Sequence, residues 1–508
     1  MKNSRTCAAA GLSFQRVWAV LVIALGLAVQ SRAQLVLPGD HADPSVTRIG
    51  DTYWASSTTS NWMPAFPLMQ SKDLVHWTTT GHVFNTLPDW ADYYFWAPEI
   101  SYEKGKVYIY YSAHKKGGNL CIAVASADRP EGPYRDHGPL VCQAAGSIDA
   151  FPMRDEKGKL HLIWKEDGNS IRKPTPIWIQ EMNEERTALL GEPKELFRND
   201  RPWEGNLVEG VSILRHGDYF YAFYAASGCC GAGCAYAEGV ARSKSLTGPW
   251  EKYEKNPLLV NEGEWVCPGH GTAIEKGGRY YFLYHGYSGK TRIYTGREGL
   301  LKEFRFTADG WVEFIDTPLG SNTPPMQVRD DFNGSRLSGD WEWSVFQPLK
   351  QRLSKGSLEL NALPAPAGSF IGRIPVRADY TAGTVVDRIN TGAAAGLALL
   401  GDEKNTVSAL VTKNRVQVII LKDGKQSVAQ TYTLPAGSLA YLRMTVRNGK
   451  DISFYAGASS KTVKLLNAEP LDGSFLPPWD RAPRIGLVSK GAARDKGVFR
   501  EFTIDYKQ

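Results

Sequence analysis

Short apolar stretches rich in Tyr, Trp, Val and Ile alternate with glycine turns along most of the chain. Five segments share one plan, in which an ionisable residue precedes a short apolar run, a glycine turn and an aromatic strand. The opening residues lie 50 to 61 positions apart and are Asp43, Glu99, Asp149, Glu209 and His270. This periodicity predicts β-strands, and helical periodicity is almost absent.

A repeat of this length, with about four short strands in each unit, is typical of a propeller blade. We therefore predict an all-β protein whose residues 34–317 form a five-bladed β-propeller. Residues 318–328 are rich in Pro, Gly and Ser and read as a linker. Residues 329–508 show alternating strands between Gly, Asn and Asp turns, which predicts a C-terminal β-sandwich.

The N-terminus has the features of a signal peptide, with Lys2, Arg5 and Arg16 before the apolar run Val17–Val29. The small residues that follow predict cleavage near Ala33, so residues 1–33 would be removed and the mature chain secreted to the periplasm or outside the cell. The run is too short to span a bilayer comfortably, and we expect no membrane anchor.

Charge and cysteine content narrow the expected partners. The chain has 508 residues and a net charge of +6, and its positive residues are scattered, so we expect no nucleic-acid binding. Six cysteines follow Cys7, and an even number in a secreted chain permits disulfides. The cluster "SGCCGAGCAY" could hold a crosslink, free thiols or a metal, and its pairing cannot be read from sequence.

The position of the repeated ionisable residues has a functional meaning. The first strand of each blade lines the central axis, so a polar residue at the same point of every first strand would face one cavity. The alternative is that these residues cap strands or satisfy backbone groups. Five such residues in register favour a functional cavity over that alternative.

Carboxylates gathered in one cavity suit glycoside hydrolysis, which needs one protonated carboxylic acid and one ionised carboxylate. Glu209 lies between "NLV" and "GVSIL", and we expect this apolar context to raise its pKa. Asp149 is a candidate for a nearby negative charge that would also raise the pKa of Glu209. Asp43 has polar neighbours that suit an ionised base. Trp62 and Trp96 could supply stacking faces for a sugar.

Several motifs occur in the order found in glycoside hydrolase family 43, which the chain resembles over nearly the whole first domain. They are "SKDLVHW", "FWAPEI", "GSIDAFP", "VEGVSIL", "TGPW", "CPGHGT" and "GREGLL". This family consists of five-bladed propellers that act on arabinose- and xylose-containing polysaccharides. One departure is Val211, where the family usually has proline after the glycine that follows the acid.

The resemblance implies roles for individual residues in an inverting mechanism. Asp43 would be the general base, Glu209 the general acid, and Asp149 the residue that raises the acid's pKa and orients it. His270 would hold water or a metal ion, often calcium, in the channel, although the chemistry itself needs no cofactor. Arg297 would contact the sugar, and Trp96 would form a pocket wall.

The C-terminal region resembles the concanavalin-like domain that follows the propeller in many β-xylosidases and arabinofuranosidases. Such a domain either lends a loop to the active site, favouring exo action, or only covers a propeller face. We therefore expect an exo-acting glycosidase that releases terminal β-D-xylose or α-L-arabinofuranose from plant cell-wall polysaccharides or oligosaccharides. The alternatives are an endo-arabinanase, a galactose-releasing member, and a carbohydrate-binding propeller without catalysis.

Overall fold

The computed structural model describes residues 33–507, which fold almost entirely as β-strands. The predicted signal peptide lies outside the described residues except for Ala33. Within residues 33–507, no helix combines the length and the hydropathy needed to cross a bilayer. The short 3-10 helices are Gly168–Ile171, Pro202–Glu204 and Arg292–Tyr294.

Five antiparallel sheets form the first part of the chain, and each corresponds to one unit of the sequence repeat. Blade 1 contains the strands Ser45–Ile49, Thr52–Ser56, Ala65–Ser71 and Thr78–Phe84. Blade 2 contains Ala91–Glu103, Lys106–Lys115, Leu120–Ala127 and Arg135–Val141. Blade 3 contains Ser147–Arg154, Leu160–Glu166, Ile177–Met182 and Leu189–Phe197. Blade 4 contains Val208–His216, Tyr219–Ala226, Ala237–Ser243 and Glu251–Lys252. Blade 5 contains Trp265–Lys276, Arg279–Ser288, Glu298–Phe306 and Val312–Ile315.

The ring of blades is closed by the N-terminal strand. Gln34–Leu37 pairs antiparallel with Glu298–Phe306 of blade 5, so the two ends of the propeller are hydrogen-bonded to each other. The first strand of each blade contacts the first strands of its two neighbours around the ring. These contacts confirm the all-β propeller and place the first strands at the axis.

The first strands share a backbone feature that sequence did not reveal. One residue near the start of each blade has positive φ, and these residues are Asp43, Ala97, Asp149, Gly210 and His270. The strand pairing shifts next to Ala97, Asp149, Gly210 and His270, as in a β-bulge, which re-aims side chains. Non-glycine residues in this conformation are uncommon and cluster at functional sites.

This shared position corrects the predicted register of the repeat. Asp43, Asp149 and His270 occupy it, whereas Glu209 precedes it by one residue and Glu99 follows it by two. The one-residue offset of Glu209 changes the direction in which its side chain leaves the strand. The two-residue offset of Glu99 keeps the direction but places the side chain about 7 Å further along the strand. The five ionisable residues are therefore not equivalent.

The C-terminal part is a sandwich of two antiparallel sheets. One sheet contains Gln327–Asp330, Gln351–Leu353, Leu358–Asn361, Tyr380–Asp387, Leu439–Arg447, Asp451–Gly457, Lys464–Leu465, Leu471–Asp472 and Lys496–Tyr506. The other contains Ser369–Arg373, Ala394–Asp402, Asn405–Thr412, Arg415–Lys422, Lys425–Thr433 and Arg484–Lys490. Alternate apolar side chains of both sheets bury one another in a shared core.

The sandwich packs on the propeller through a small mixed sheet and buried charges. Trp343–Ser344 pairs with Trp62–Met63, and Trp62 packs against Phe370 of the sandwich. Arg484 is 1% exposed, donates to Asp40 Oδ2 over 3.0 Å and pairs with Glu342. Burying such charges is costly unless they are paired. Arg484 of the sandwich therefore favours the orientation of the two domains in which it reaches Asp40 of the propeller.

We predict that Arg484→Ala destabilises the full chain by about 3–5 kcal/mol, because it leaves the buried carboxylates of Asp40 and Glu342 without their counter-charge. Urea unfolding followed by tryptophan fluorescence measures the loss. The control is Arg352→Ala, which removes an exposed pair with Glu359 and costs about 0–1 kcal/mol. Equal losses in the two variants would contradict the prediction.

Candidate active site

A cavity of about 380 Å³ opens where the first strands begin. It is lined by Asp43, Asp149, Glu209 and His270, so the structure brings these four predicted residues together. Glu99 instead lines a narrow channel in the axis, where it accepts a hydrogen bond from Thr272. Burial raises the pKa of Glu99 well above its usual value, which suits a neutral side chain outside the reaction.

Asp43 is held as an ionised carboxylate. Its Oδ1 accepts a hydrogen bond from Arg297 over 3.0 Å, and its Oδ2 accepts one from Thr58 Oγ1 over 2.6 Å. Burial acts to raise the pKa of Asp43, but the Arg297 guanidinium and nearby histidines hold it well below its usual range. This protonation state is the one that a general base requires.

His285 holds the Asp43 backbone from the second strand of blade 5. Its Nδ1 lies 3.0 Å from the Asp43 backbone nitrogen and 3.2 Å from Asp43 Oδ1, so one ring nitrogen contacts both the backbone and the carboxylate of the proposed base. Burial lowers the pKa of His285 to about 4, so the ring is neutral at physiological pH. The hydrogen bond fixes Asp43 in its left-handed conformation at the edge of the cavity.

Asp149 lies beside the Glu209 strand. Its Oδ2 accepts the Gly210 N–H over 2.9 Å, and its own N–H donates to Ser112 Oγ over 3.2 Å. Burial, reinforced by the nearby charge of Glu209, raises the pKa of Asp149 to about 6. Of the three candidate catalytic carboxyl groups, Asp43, Asp149 and Glu209, Asp149 keeps a proton to the highest pH.

Glu209 is paired with a buried lysine. Lys165 Nζ donates to Glu209 Oε2 over 2.5 Å and to Asp167 Oδ1 over 3.0 Å, while Tyr236 donates its hydroxyl to Glu209 Oε1 over 2.8 Å. Burial acts to raise the pKa of Glu209, but the Lys165 ammonium and these hydrogen bonds lower it below its usual value. The expectation that its apolar neighbours would raise the pKa is therefore wrong for the free enzyme.

Arg297 and Trp96 both line the cavity, as predicted for sugar contacts. Trp96 stacks on Tyr94 with ring centroids 4.3 Å apart. The prediction that Trp62 contacts sugar is wrong, because Trp62 is 2% exposed and its ring is covered by Phe370 and Arg484 of the sandwich.

The sandwich contributes directly to the cavity. Trp479 and Asp480 line it, and Trp479 is 52% exposed, with its ring at the edge of Trp96. Asp480 Oδ2 accepts hydrogen bonds from Ser60 Oγ over 2.5 Å and Trp96 Nε1 over 3.2 Å, while its carbonyl accepts one from Arg297 over 3.0 Å. The sandwich therefore forms part of the pocket and does more than cover a propeller face.

His270 is the residue at which the family resemblance predicts a bound water molecule or metal ion. Its Nδ1 lies 3.5 Å from Asp43 Oδ1 and 4.0 Å from Asp149 Oδ2, within reach of both carboxylates. Among residues 33–507, no three His, Cys, Asp or Glu side chains are arranged as metal ligands, whereas calcium takes six to eight oxygens. Direct ligation of calcium by side chains alone does not fit these residues, whereas calcium held through water at His270 stays a prediction, and no step below depends on a metal.

Sequence reasoning missed several residues that contact the carboxylates, namely Thr58, Lys165, Tyr236, His285 and Asp480. The sequence positions of two of them, Lys165 and His285, could have indicated that they lie in this cavity. In a hairpin, the end of the second strand lies beside the start of the first, and Lys165 pairs with Ile148 while His285 pairs with Gly269. Ionisable residues ending the apolar second strands "HLIWKE" and "FLYHGY" are thus candidates for the same cavity.

Comparison with known proteins matches both parts of the chain. The family model of glycosyl hydrolases family 43 matches residues 33–312, and that of the beta xylosidase C-terminal concanavalin A-like domain matches residues 329–478. The solved structure of the GH43 protein BlXynB from Bacillus licheniformis superposes with a TM-score of 0.80 at 24% identity. That superposition covers 94% of this chain and 100% of BlXynB, and it supports the fold.

Two relatives with named activities share somewhat more of their sequence with this chain than BlXynB does. The non-reducing end alpha-L-arabinofuranosidase BoGH43B of Bacteroides ovatus is 27% identical over 483 residues, covering 84% of this chain and 86% of the relative. A xylan 1,3-beta-xylosidase of Vibrio sp is 29% identical over 376 residues, covering 65% and 66%. The two relatives carry different sugar specificities in their names.

The carboxyl pKa values predict the pH dependence of kcat/KM on an aryl glycoside. Activity should fall as the pH rises through about 6, because the Asp149–Glu209 pair then loses the one proton that it holds. No acid limb is expected above about pH 4, because Arg297 holds the pKa of Asp43 well below its usual range. A rate that declines between pH 6 and about pH 4 would contradict this assignment.

Lys165→Met should shift the basic limb of that profile to higher pH. The substitution removes the ammonium that lowers the pKa of Glu209, while burial, which raises it, remains. Lys159→Met is the matched control, since Lys159 lies on the same blade in an exposed pair with Glu181. An unchanged limb, or a shift to lower pH, would show that Lys165 does not set the protonation of Glu209.

Proposed function

This chain belongs to glycosyl hydrolases family 43 and is a glycosidase, and we propose that it is an exo-acting, inverting enzyme that releases terminal pentoses. The proposal rests on one observation. A single cavity holds an ionised carboxylate, Asp43, together with a carboxyl pair, Asp149 and Glu209, in which one proton is retained up to about pH 6. A base and a proton donor with separated pKa values are what glycoside hydrolysis requires.

In the proposed reaction, Asp43 removes a proton from a water molecule, and the oxygen of that water attacks the anomeric carbon. Arg297 and Thr58 hold both Asp43 oxygens, so the base is oriented before the sugar enters. Glu209 gives its proton to the glycosidic oxygen as the bond to the anomeric carbon breaks. The sugar leaves with inverted configuration because water attacks the face opposite the leaving group.

Glu209 must gain a proton before it can act as the acid. In the free structure Lys165 keeps it ionised, while Asp149 has the higher pKa. We propose that a bound sugar draws Lys165 away from Glu209 and leaves it paired with Asp167. Burial and the charge of Asp149 then favour a protonated Glu209, consistent with the role of Asp149 as its pKa modulator.

The sandwich contacts favour exo action. Trp479 and Asp480 occupy the pocket rim, where an endo-acting enzyme needs an open cleft for a continuing chain. Trp96 and Trp479 present aromatic surface to a sugar ring. The names of the relatives favour a terminal pentose, either α-L-arabinofuranose or β-D-xylose. Endo-arabinanase and galactose-releasing activities remain the alternative outcomes of the test below.

The disulfides support the proposal that the chain is exported. Six cysteines form three crosslinks, Cys121–Cys142, Cys229–Cys230 and Cys234–Cys267. Such bonds persist in oxidising compartments such as the periplasm and the cell exterior. The signal peptide itself stays a prediction.

Product analysis tests the proposed function. The enzyme is incubated with aryl α-L-arabinofuranosides, β-D-xylosides and galactosides, and with arabinan and xylan. We expect monosaccharide pentose from the first turnover, and proton NMR should show the inverted anomer before mutarotation. Retained configuration would overturn the mechanism, and early internal oligosaccharides would overturn exo action.

Glu209→Gln should lower kcat on oligosaccharides by about 10²–10⁴-fold, because the amide cannot protonate the leaving oxygen. Glu99→Gln is the matched control, since Glu99 is a half-buried carboxyl group of the axial channel and does not line the pocket. It should keep most of the rate. A Glu209→Gln enzyme with near-normal kcat would remove Glu209 from the mechanism.

A further inference from the structure

The loop of residues 227–236 joins the second and third strands of blade 4 and carries the sequence "SGCCGAGCAY". It contains the disulfide between adjacent residues Cys229 and Cys230, and both cysteines line the catalytic cavity. The proposed mechanism uses neither of them. The position of these two cysteines in the pocket wall therefore indicates a role other than catalysis.

The loop begins and ends beside Glu209. Glu209 pairs with Ala225 in the sheet, and Ser227 donates its N–H to the Leu207 carbonyl over 3.3 Å. At the other end, Tyr236 donates its hydroxyl to Glu209 Oε1. The proposed acid delivers its proton to the glycosidic oxygen, so groups beside and outside Glu209 face the leaving sugar.

The disulfide between two adjacent cysteines closes a small covalent ring that contains both sulfur atoms. Sulfur is polarizable, largely apolar and a weak hydrogen-bonding partner. Both residues are half-buried, which leaves part of the ring accessible from the cavity. Such a surface suits the C–H face of a sugar ring and makes few demands on the positions of its hydroxyl groups.

The disulfide lies close to the sandwich residue that shares the rim. A Cβ built on Gly231, the next residue, would lie 3.4 Å from the Trp479 carbonyl oxygen. Trp479 is also exposed and lines the same cavity. The sulfur surface and the indole ring thus belong to one continuous part of the pocket mouth.

The loop is fixed in place by contacts with blade 5. Cys234 is linked to Cys267, which lies three residues before His270. The Gly231 N–H donates to Tyr287 Oη over 3.2 Å, and Arg292 donates to the Ala232 carbonyl over 3.3 Å. A surface held in this way loses little conformational freedom when a ligand binds.

We propose that the Cys229–Cys230 disulfide is a binding surface for the leaving-group sugar. It packs against the apolar face of the sugar next to the scissile bond, on the far side of Glu209 from the terminal pentose. This inference rests on the proposed function, because it assigns the leaving-group position of that same site.

Binding measurements in the Glu209→Gln background test the inference without interference from catalysis. The probe is whichever disaccharide, β-1,4-xylobiose or α-1,5-arabinobiose, the wild-type enzyme hydrolyses faster, and its Kd is compared with that of its monosaccharide. Adding Cys229→Ser and Cys230→Ser should weaken disaccharide binding about tenfold, or about 1.4 kcal/mol. The Kd of the monosaccharide, which fills only the terminal position, should change by less than about twofold.

The matched control adds Cys121→Ser and Cys142→Ser, which remove a disulfide that does not line the cavity. Its disaccharide affinity should stay that of Glu209→Gln alone. Equal weakening of disaccharide and monosaccharide by the Cys229/Cys230 substitutions would overturn the inference, because the loop would then only shape the catalytic position. No weakening of either would overturn it as well.

A second measurement does not depend on the cysteine variants folding. In a crystal structure of Glu209→Gln with the disaccharide, the leaving-group ring should lie within about 4.5 Å of a Cys229 or Cys230 sulfur. A ring placed elsewhere would overturn the inference while leaving the proposed function intact. If the wild-type enzyme hydrolyses no glycoside in the product panel, the proposed function fails instead.

Discussion

The ion pair between Arg297 and Asp43 is the contact on which the site depends. Asp43 lies at the start of blade 1 and Arg297 at the start of the third strand of blade 5, so the pair forms only when the ring closes. The same guanidinium donates to the Asp480 carbonyl of the sandwich. One buried cation therefore sets the charge of the proposed base and also fixes the domain that closes the pocket. Without it, only the contacts with His270 and His285 would oppose the rise in the pKa of Asp43 that burial causes.

The charges around Glu209, the proposed acid, determine where the proton of the carboxyl pair lies. Lys165 and Tyr236 stabilise ionised Glu209, whereas burial and the charge of Glu209 raise the pKa of Asp149. Two interacting carboxyl groups titrate as a pair, so one proton is stored in the cavity at mildly acidic pH. A bound sugar needs only to change which oxygen holds that proton. Under the proposed mechanism, the contact between Lys165 and Glu209 would couple the position of this proton to the binding of a sugar.

The sandwich and the cysteine loop together determine the shape of the pocket mouth. Trp479 and Asp480 come from the C-terminal domain, and the Cys229–Cys230 ring comes from blade 4. The buried Arg484 ion pairs and the Trp62–Phe370 contact hold the sandwich against the propeller. Under the proposed function, substrate selection would depend on parts of the chain far apart in sequence, while the candidate catalytic carboxyl groups come from the first strands of the blades.

The sequence by itself determined the all-β class, the five-bladed repeat, the family and the identity of the clustered residues Asp43, Asp149, Glu209 and His270. Each of these follows from a pattern local to one blade and repeated along the chain. The tertiary structure decided what local pattern cannot show. Glu99 lies in the axial channel and not in the cavity, Lys165 lowers the pKa of Glu209 against the expectation, and the sandwich buries Trp62 while adding Trp479 to the pocket. The reason is physical, because pKa and exposure depend on charges and surfaces that other blades and domains bring within a few ångströms.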